Sequence, residues 1–64
     1  MAKIVDCFHI GKYAIAIVDN MPSRYSKVKI NEKEYSITIP YDIPNSVAIE
    51  SPENFVGCNI EFIK

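Results

Sequence analysis

Between Lys27 and Pro40 the chain reads KVKINEKEYSITIP, two alternating apolar and polar runs that meet at a polar corner. A period of two puts successive side chains on opposite faces of a strand, so each run has one face to bury. With Asn31 and Glu32 as a two-residue loop, Ile30 pairs with Lys33, Lys29 with Glu34, Val28 with Tyr35 and Lys27 with Ser36. Val28 then shares an inner face with Tyr35, Ile37 and Ile39. Lys29 and Glu34 form an outer cross-strand ion pair worth a few tenths to about 1 kcal/mol. The corner carries the tension, because such a turn usually has glycine second and Glu32 there needs a positive φ. A four-residue loop from Asn31 to Glu34 is the alternative.

The rest of the chain obeys the same period. Lys3 to Ile10 alternates imperfectly, with Ile4, Phe8 and Ile10 on one face and Val5, Cys7 and His9 on the other. Asp6 falls on the Ile4 and Phe8 face, so either that face turns outward or a bulge changes the register. Gly11 marks a bend into Tyr13 to Asp19, where Tyr13, Ile15 and Ile17 share one face and Ala14, Ala16 and Val18 the other. Small residues on the second face fit a back crowded by another strand or left to solvent. Asn20 to Ser26 has loop composition, and Pro40 and Pro44 end the central hairpin and keep Tyr41 to Asn45 extended. Ser46 to Glu50 is a short strand with Val47 and Ile49 facing one way. Ser51-Pro52-Glu53-Asn54 opens a turn or one helical turn with Ser51 as its N-cap. Cys58 to Ile63 closes the chain with Cys58, Ile60 and Phe62 inward.

No segment of ten residues carries helical periodicity. Six short strands in 64 residues must therefore bury their faces against one another. The economical answer is an all-β fold: a single small, partly open β-barrel of five to six short, mostly antiparallel strands, or two orthogonally packed sheets. A domain this small buries only about 60% of its unfolded surface, so each large apolar side chain counts. The longest apolar run, Tyr13 to Val18, is strand length and far from a membrane helix. The start, MAKIVDCF, lacks the pattern of a secretory signal, which points to the cytoplasm. Cys7 and Cys58 fit buried or half-buried thiols there. A disulfide between them requires neighbouring first and last strands.

The charge is uneven. Residues 1 to 33 hold Lys3, Lys12, Arg24, Lys27, Lys29 and Lys33 against Asp6, Asp19 and Glu32. Residues 34 to 64 hold Lys64 against Glu34, Asp42, Glu50, Glu53 and Glu61. A basic and an acidic side follow, unless strands from the two halves interleave. Cys7, His9 and Cys58 could form a three-ligand cluster, but no metal-ligand spacing supports it. There is no glycine-rich phosphate loop and no third group to make a Cys7 and His9 pair catalytic. The chain is expected to be no enzyme and to need no cofactor.

The order Ile10-Gly11-Lys12 into Ala14 to Val18, then the Val28 to Tyr35 hairpin, resembles the β-barrel that forms the second domain of translation factors such as elongation factor Tu. It departs where Tyr13 stands in place of a second glycine and Tyr25-Ser26 in place of Gly-Asp. The resemblance implies a barrel and a lean towards macromolecular binding. It implies no GTPase activity, with no GTP-binding domain in these residues, and assigns no functional residue.

The expected function is a non-enzymatic cytoplasmic binding module whose partner is a protein or a second copy of itself. A homodimer joined at edge strands is compatible with so small a core. The alternative is RNA or single-stranded nucleic acid, stacked on Tyr25 beside Arg24, Lys27 and Lys29. A pI near 5.7 weakens that alternative. Tyr41 and Ile43, after the hairpin, are the candidate protein contacts.

Overall fold

The computed structural model describes residues 2–22, 24–40 and 42–64. Six strands make up one antiparallel sheet: β1 (Ala2–Ile10), β2 (Tyr13–Val18), β3 (Lys27–Ile30), β4 (Lys33–Ser36), β5 (Ser46–Glu50) and β6 (Asn59–Ile63). Their order across the sheet is β4-β3-β6-β1-β2-β5, and no helix occurs among the described residues. β1 serves two halves. Ala2 and Lys3 pair with β6, whereas Ile4 and Asp6 to Ile10 pair with β2.

The change of partner coincides with a bulge. Ile4 opposes Val18 and Asp6 opposes Ile17, so Val5 is one residue too many. The bulge inverts the alternation: Ile4 and Cys7 are both buried, while Phe8 and Ile10 are 37% and 56% exposed. This corrects the single face expected for Ile4, Phe8 and Ile10. Past Lys3, β6 no longer pairs with β1, and beyond the bulge the Cys7 amide donates to Asp6 Oδ1 at 2.9 Å. Asp6 thus answers the doubt it raised: it sits outward and satisfies an amide beside the bulge.

The central hairpin has the register its alternation predicts, with a two-residue loop. Asn31 and Glu32 take φ of 52° and 67°, the left-handed pair of a type I′ turn, so the four-residue loop is not formed. Ile10 pairs with Tyr13 around Gly11-Lys12, where Gly11 supplies φ 59° at the first turn position.

After Ser36 the chain leaves β3. Thr38 forms an isolated bridge with Ala48 of β5, exchanging hydrogen bonds of 3.0 and 2.8 Å. The two ends of the sheet meet there, and β4 and β5 form no ladder: the barrel is partly open. The crossing also removes Ile39 from the hairpin's inner face, so Ile39 is 60% exposed while Ile37 packs on the core.

The core gathers Ile4, Val28, Ile30, Val47, Ile49 and Ile60, all almost fully buried. Ala14, Ala16 and Val18 face it, so the small-residue side of β2 is the crowded one. Phe55, in the β5–β6 connection, is buried and meets the Tyr35 ring edge-on at 5.5 Å. Ser51 caps no helix; its hydroxyl accepts the Glu53 amide at 3.1 Å in a local turn. Both thiols are free, Cys7 buried and Cys58 half-buried.

Candidate docking face

Register fixes which side chains share the outer surface of the β1–β2–β5 half. Directly opposed residues point the same way, which gives three rows: Asp6, Ile17 and Ser46; Phe8, Ile15 and Ala48; and Ile10, Tyr13 and Glu50. Thr38 extends the middle row beyond Ala48. Six of these ten residues are large or small apolar groups or tyrosine's ring, on a surface no helix covers. Ile15 is only 4% exposed although it points away from the core, so the middle of this face is already closed within the chain. Phe8 and Ile10 stand up at the β1 side. Towards β5 the surface sinks into a groove of about 200 Å³ lined by Ile10, Tyr13, Ile15, Thr38, Pro40 and Ala48. Small Ala48 forms part of this depression, and Phe8 stands two strands away across Ile15.

One end of the face is charged. Lys12 in the β1–β2 turn reaches Glu50 at 3.6 Å, both side chains well exposed. Lys12 Nζ also lies 5.7 Å from the Tyr13 ring centroid. His9, on the inward parity, directs Nε2 to the Ser51 carbonyl oxygen at 3.2 Å. Among the described residues no group of three His, Cys, Asp or Glu side chains is arranged to hold a metal.

The residues singled out from the sequence divide between two places. Lys27 and Lys29 lie on the outer face of β3, which runs between β4 and β6. Lys29 opposes Glu34 on one side and Glu61 on the other. The ion pair forms diagonally, Lys27 Nζ to Glu34 Oε1 at 2.6 Å, rather than between the directly opposed Lys29 and Glu34. That hydrogen bond, then the Lys27 charge, holds the Glu34 carboxyl below its usual value. Interleaving β6 between β3 and β1 therefore sets carboxylates from the acidic half beside the lysines of the basic half.

Tyr25 is half-buried and packs edge-on against Phe62 at 4.8 Å, and burial pushes its phenol upward. Its hydroxyl is buried and has no hydrogen-bond partner among the described residues. Arg24 beside it is exposed. Ile43 belongs to the other place: its carbonyl accepts the Ser46 hydroxyl at 2.6 Å, at the Asp6, Ile17 and Ser46 end of the apolar face. Tyr41 lies outside the described residues.

Phe8, Ile10, Tyr13, Ile15 and Ile17 were not singled out as contacts by the sequence pattern. Their signal is a β2 strand apolar on both faces in a chain without a helix to cover the second face. Among the described residues no helix is long and apolar enough to cross a membrane. Compared with known proteins, the chain matches no family model, no curated protein and no solved structure.

Proposed function

We propose that this chain is a non-enzymatic module that binds protein, through the outer face of β1, β2 and β5. One observation carries the reading: on the outer face of β1 and β2, exposed Phe8 and Ile10 and half-buried Tyr13 and Ile17 surround the buried Ile15, and no helix or strand among the described residues lies over them. Exposed apolar patches of this kind, rimmed by polar groups, characterise interaction surfaces. Ile43 at one end belongs to the same contact zone, and the resemblance to translation-factor barrels supports macromolecular binding. The free thiols suit the cytoplasm, where disulfides are rare.

The charges favour protein over nucleic acid. A strand of phosphates needs unpaired cations along its path, and here Lys27 is engaged by Glu34 while Lys29 lies between two carboxylate-bearing strands.

The test is a pair of titrations followed by amide resonances. Mixed RNA and DNA oligonucleotides at low salt are expected to move nothing near Arg24, Tyr25, Lys27 or Lys29. The apolar fluorophore 1-anilinonaphthalene-8-sulfonate (ANS) is expected to shift Phe8, Ile10 and Tyr13, and to bind less to Phe8→Ser. Oligonucleotide shifts at Arg24 to Lys29 that collapse with added salt would replace this reading with nucleic-acid binding.

A further inference from the structure

Resting on that docking-face reading, we infer that the occupant of the face is a second copy of this chain, related by a two-fold axis that runs along β2. The face is complementary to itself about that line. β1 and β5 flank β2 at roughly equal spacings of 4.8 Å. Rotation by half a turn about β2 therefore places the β1 column of one copy over the β5 column of the other. In the middle row this seats Phe8, the raised residue, over Ala48, the floor of the groove. On the axis Tyr13 meets Tyr13, while Ile15, already buried within its own chain, lies beneath the contact.

The alternative axis, perpendicular to the strands, stacks Phe8 on Phe8 and leaves both grooves empty. The axis along β2 is thus the one that fits large against small, with the two sheets in the aligned packing that β-sandwiches use. Charges agree with it. Lys12, in the turn between β1 and β2, is carried towards Glu50 of the second copy, so the pair within one chain continues as a pair between chains. Asp6 comes over Ser46, and no two like charges oppose each other on the face.

The size of the face sets the strength. Three rows two residues apart and four columns cover at most roughly 400 Å² per copy, with Ile15, Ala48 and Ser46 already buried within the chain, so the contact is half or less of the ~800 Å² per partner of a standard stable interface. The dimer is therefore weak and reversible, populated as the concentration approaches the millimolar range.

Sedimentation equilibrium of the full chain from micromolar to millimolar concentration tests this, with ANS binding measured alongside. Reversible dimerisation is expected. Phe8→Ser, at an exposed position that keeps the fold, should weaken it by about tenfold or more through the apolar area lost from both copies. Glu50→Lys should weaken it too, and the exchange Lys12→Glu with Glu50→Lys should restore it. Amide spectra of each variant show whether the fold is kept. A wild-type chain that stays monomeric to millimolar concentration overturns the inference, as does a dimer that Phe8→Ser leaves unchanged. If it stays monomeric while ANS still binds at Phe8 and Ile10, the docking face stands with another occupant. If ANS does not bind there either, both readings fall.

Discussion

Replacing Glu32 by glycine isolates the strain in the β3–β4 corner. Glu32 holds φ 67° as the second residue of the loop, a conformation that costs an L side chain roughly 1 to 2 kcal/mol and costs glycine little. Against this, glycine adds freedom to the unfolded chain, a loss of roughly 0.4 to 1 kcal/mol. Asn31 keeps φ 52°, which asparagine tolerates, so Asn-Gly becomes the sequence this turn type prefers. The Glu32 side chain is exposed and borders a depression lined by both Lys29 and Glu61, so its removal deletes no apolar contact. The balance is a gain of roughly 0 to 1.6 kcal/mol, centred near 0.8, which corresponds to a melting temperature roughly 3 to 6 °C higher for a domain this size. Thermal and urea unfolding followed by circular dichroism read it, with the urea slope unchanged. Glu32→Ala removes the same charge but keeps the backbone penalty, so it should gain little. Glu32→Gly no more stable than Glu32→Ala would refute the strain argument.

Phe55→Ala should cost about 3 to 5 kcal/mol, since the ring is buried in the core and seated against Tyr35. A chain this short has a total stability of only about 3 to 10 kcal/mol, so the variant is expected to lose about a third of it or more, read as a strongly lowered urea midpoint by circular dichroism. Tyr25→Phe removes a buried hydroxyl that lacks a partner among the described residues, and should raise stability by about 1 kcal/mol in urea unfolding. It should also change the alkaline limb. The Tyr25 phenol is pushed above its usual 10.0 by burial, so above that pH the unfolded chain releases the proton first and stability falls. In Tyr25→Phe that fall should be shallower.

The fold was legible where local chemistry and parity agree. The hairpin register follows from four alternating residues on either side of a two-residue polar corner, and the corner tolerates Glu32 because the right-handed twist of the strands favours a type I′ turn. The bulge announced itself through Asp6, whose charge broke the alternation of β1. Its consequence was not readable, because one extra residue at Val5 decides which of two apolar faces turns inward. Ile39 was misplaced for a related reason: the crossing of Thr38 to Ala48 is a long-range pairing that no alternation encodes.

The proposed face was not legible in the sequence. Phe8 and Ile10 resembled core residues, because in sequence an exposed apolar position looks the same as a covered one, and of Ile43 the fold places the carbonyl beside Ser46. The basic cluster looked separate because chain order hides neighbours. β6, from the far end of the chain, lies against β3 and brings Glu61 opposite Lys29.

The face of β1, β2 and β5 is tested most directly by mapping amide chemical shifts as the chain is concentrated from micromolar to millimolar, at low and at high salt. Shifts are expected at Phe8, Ile10, Tyr13, Ile15 and Ile17, of similar size at both salts, because apolar burial is screened little. Amides on this face that stay unmoved to millimolar concentration, or shifts centred on Arg24 to Lys29 that fade with salt, would contradict it.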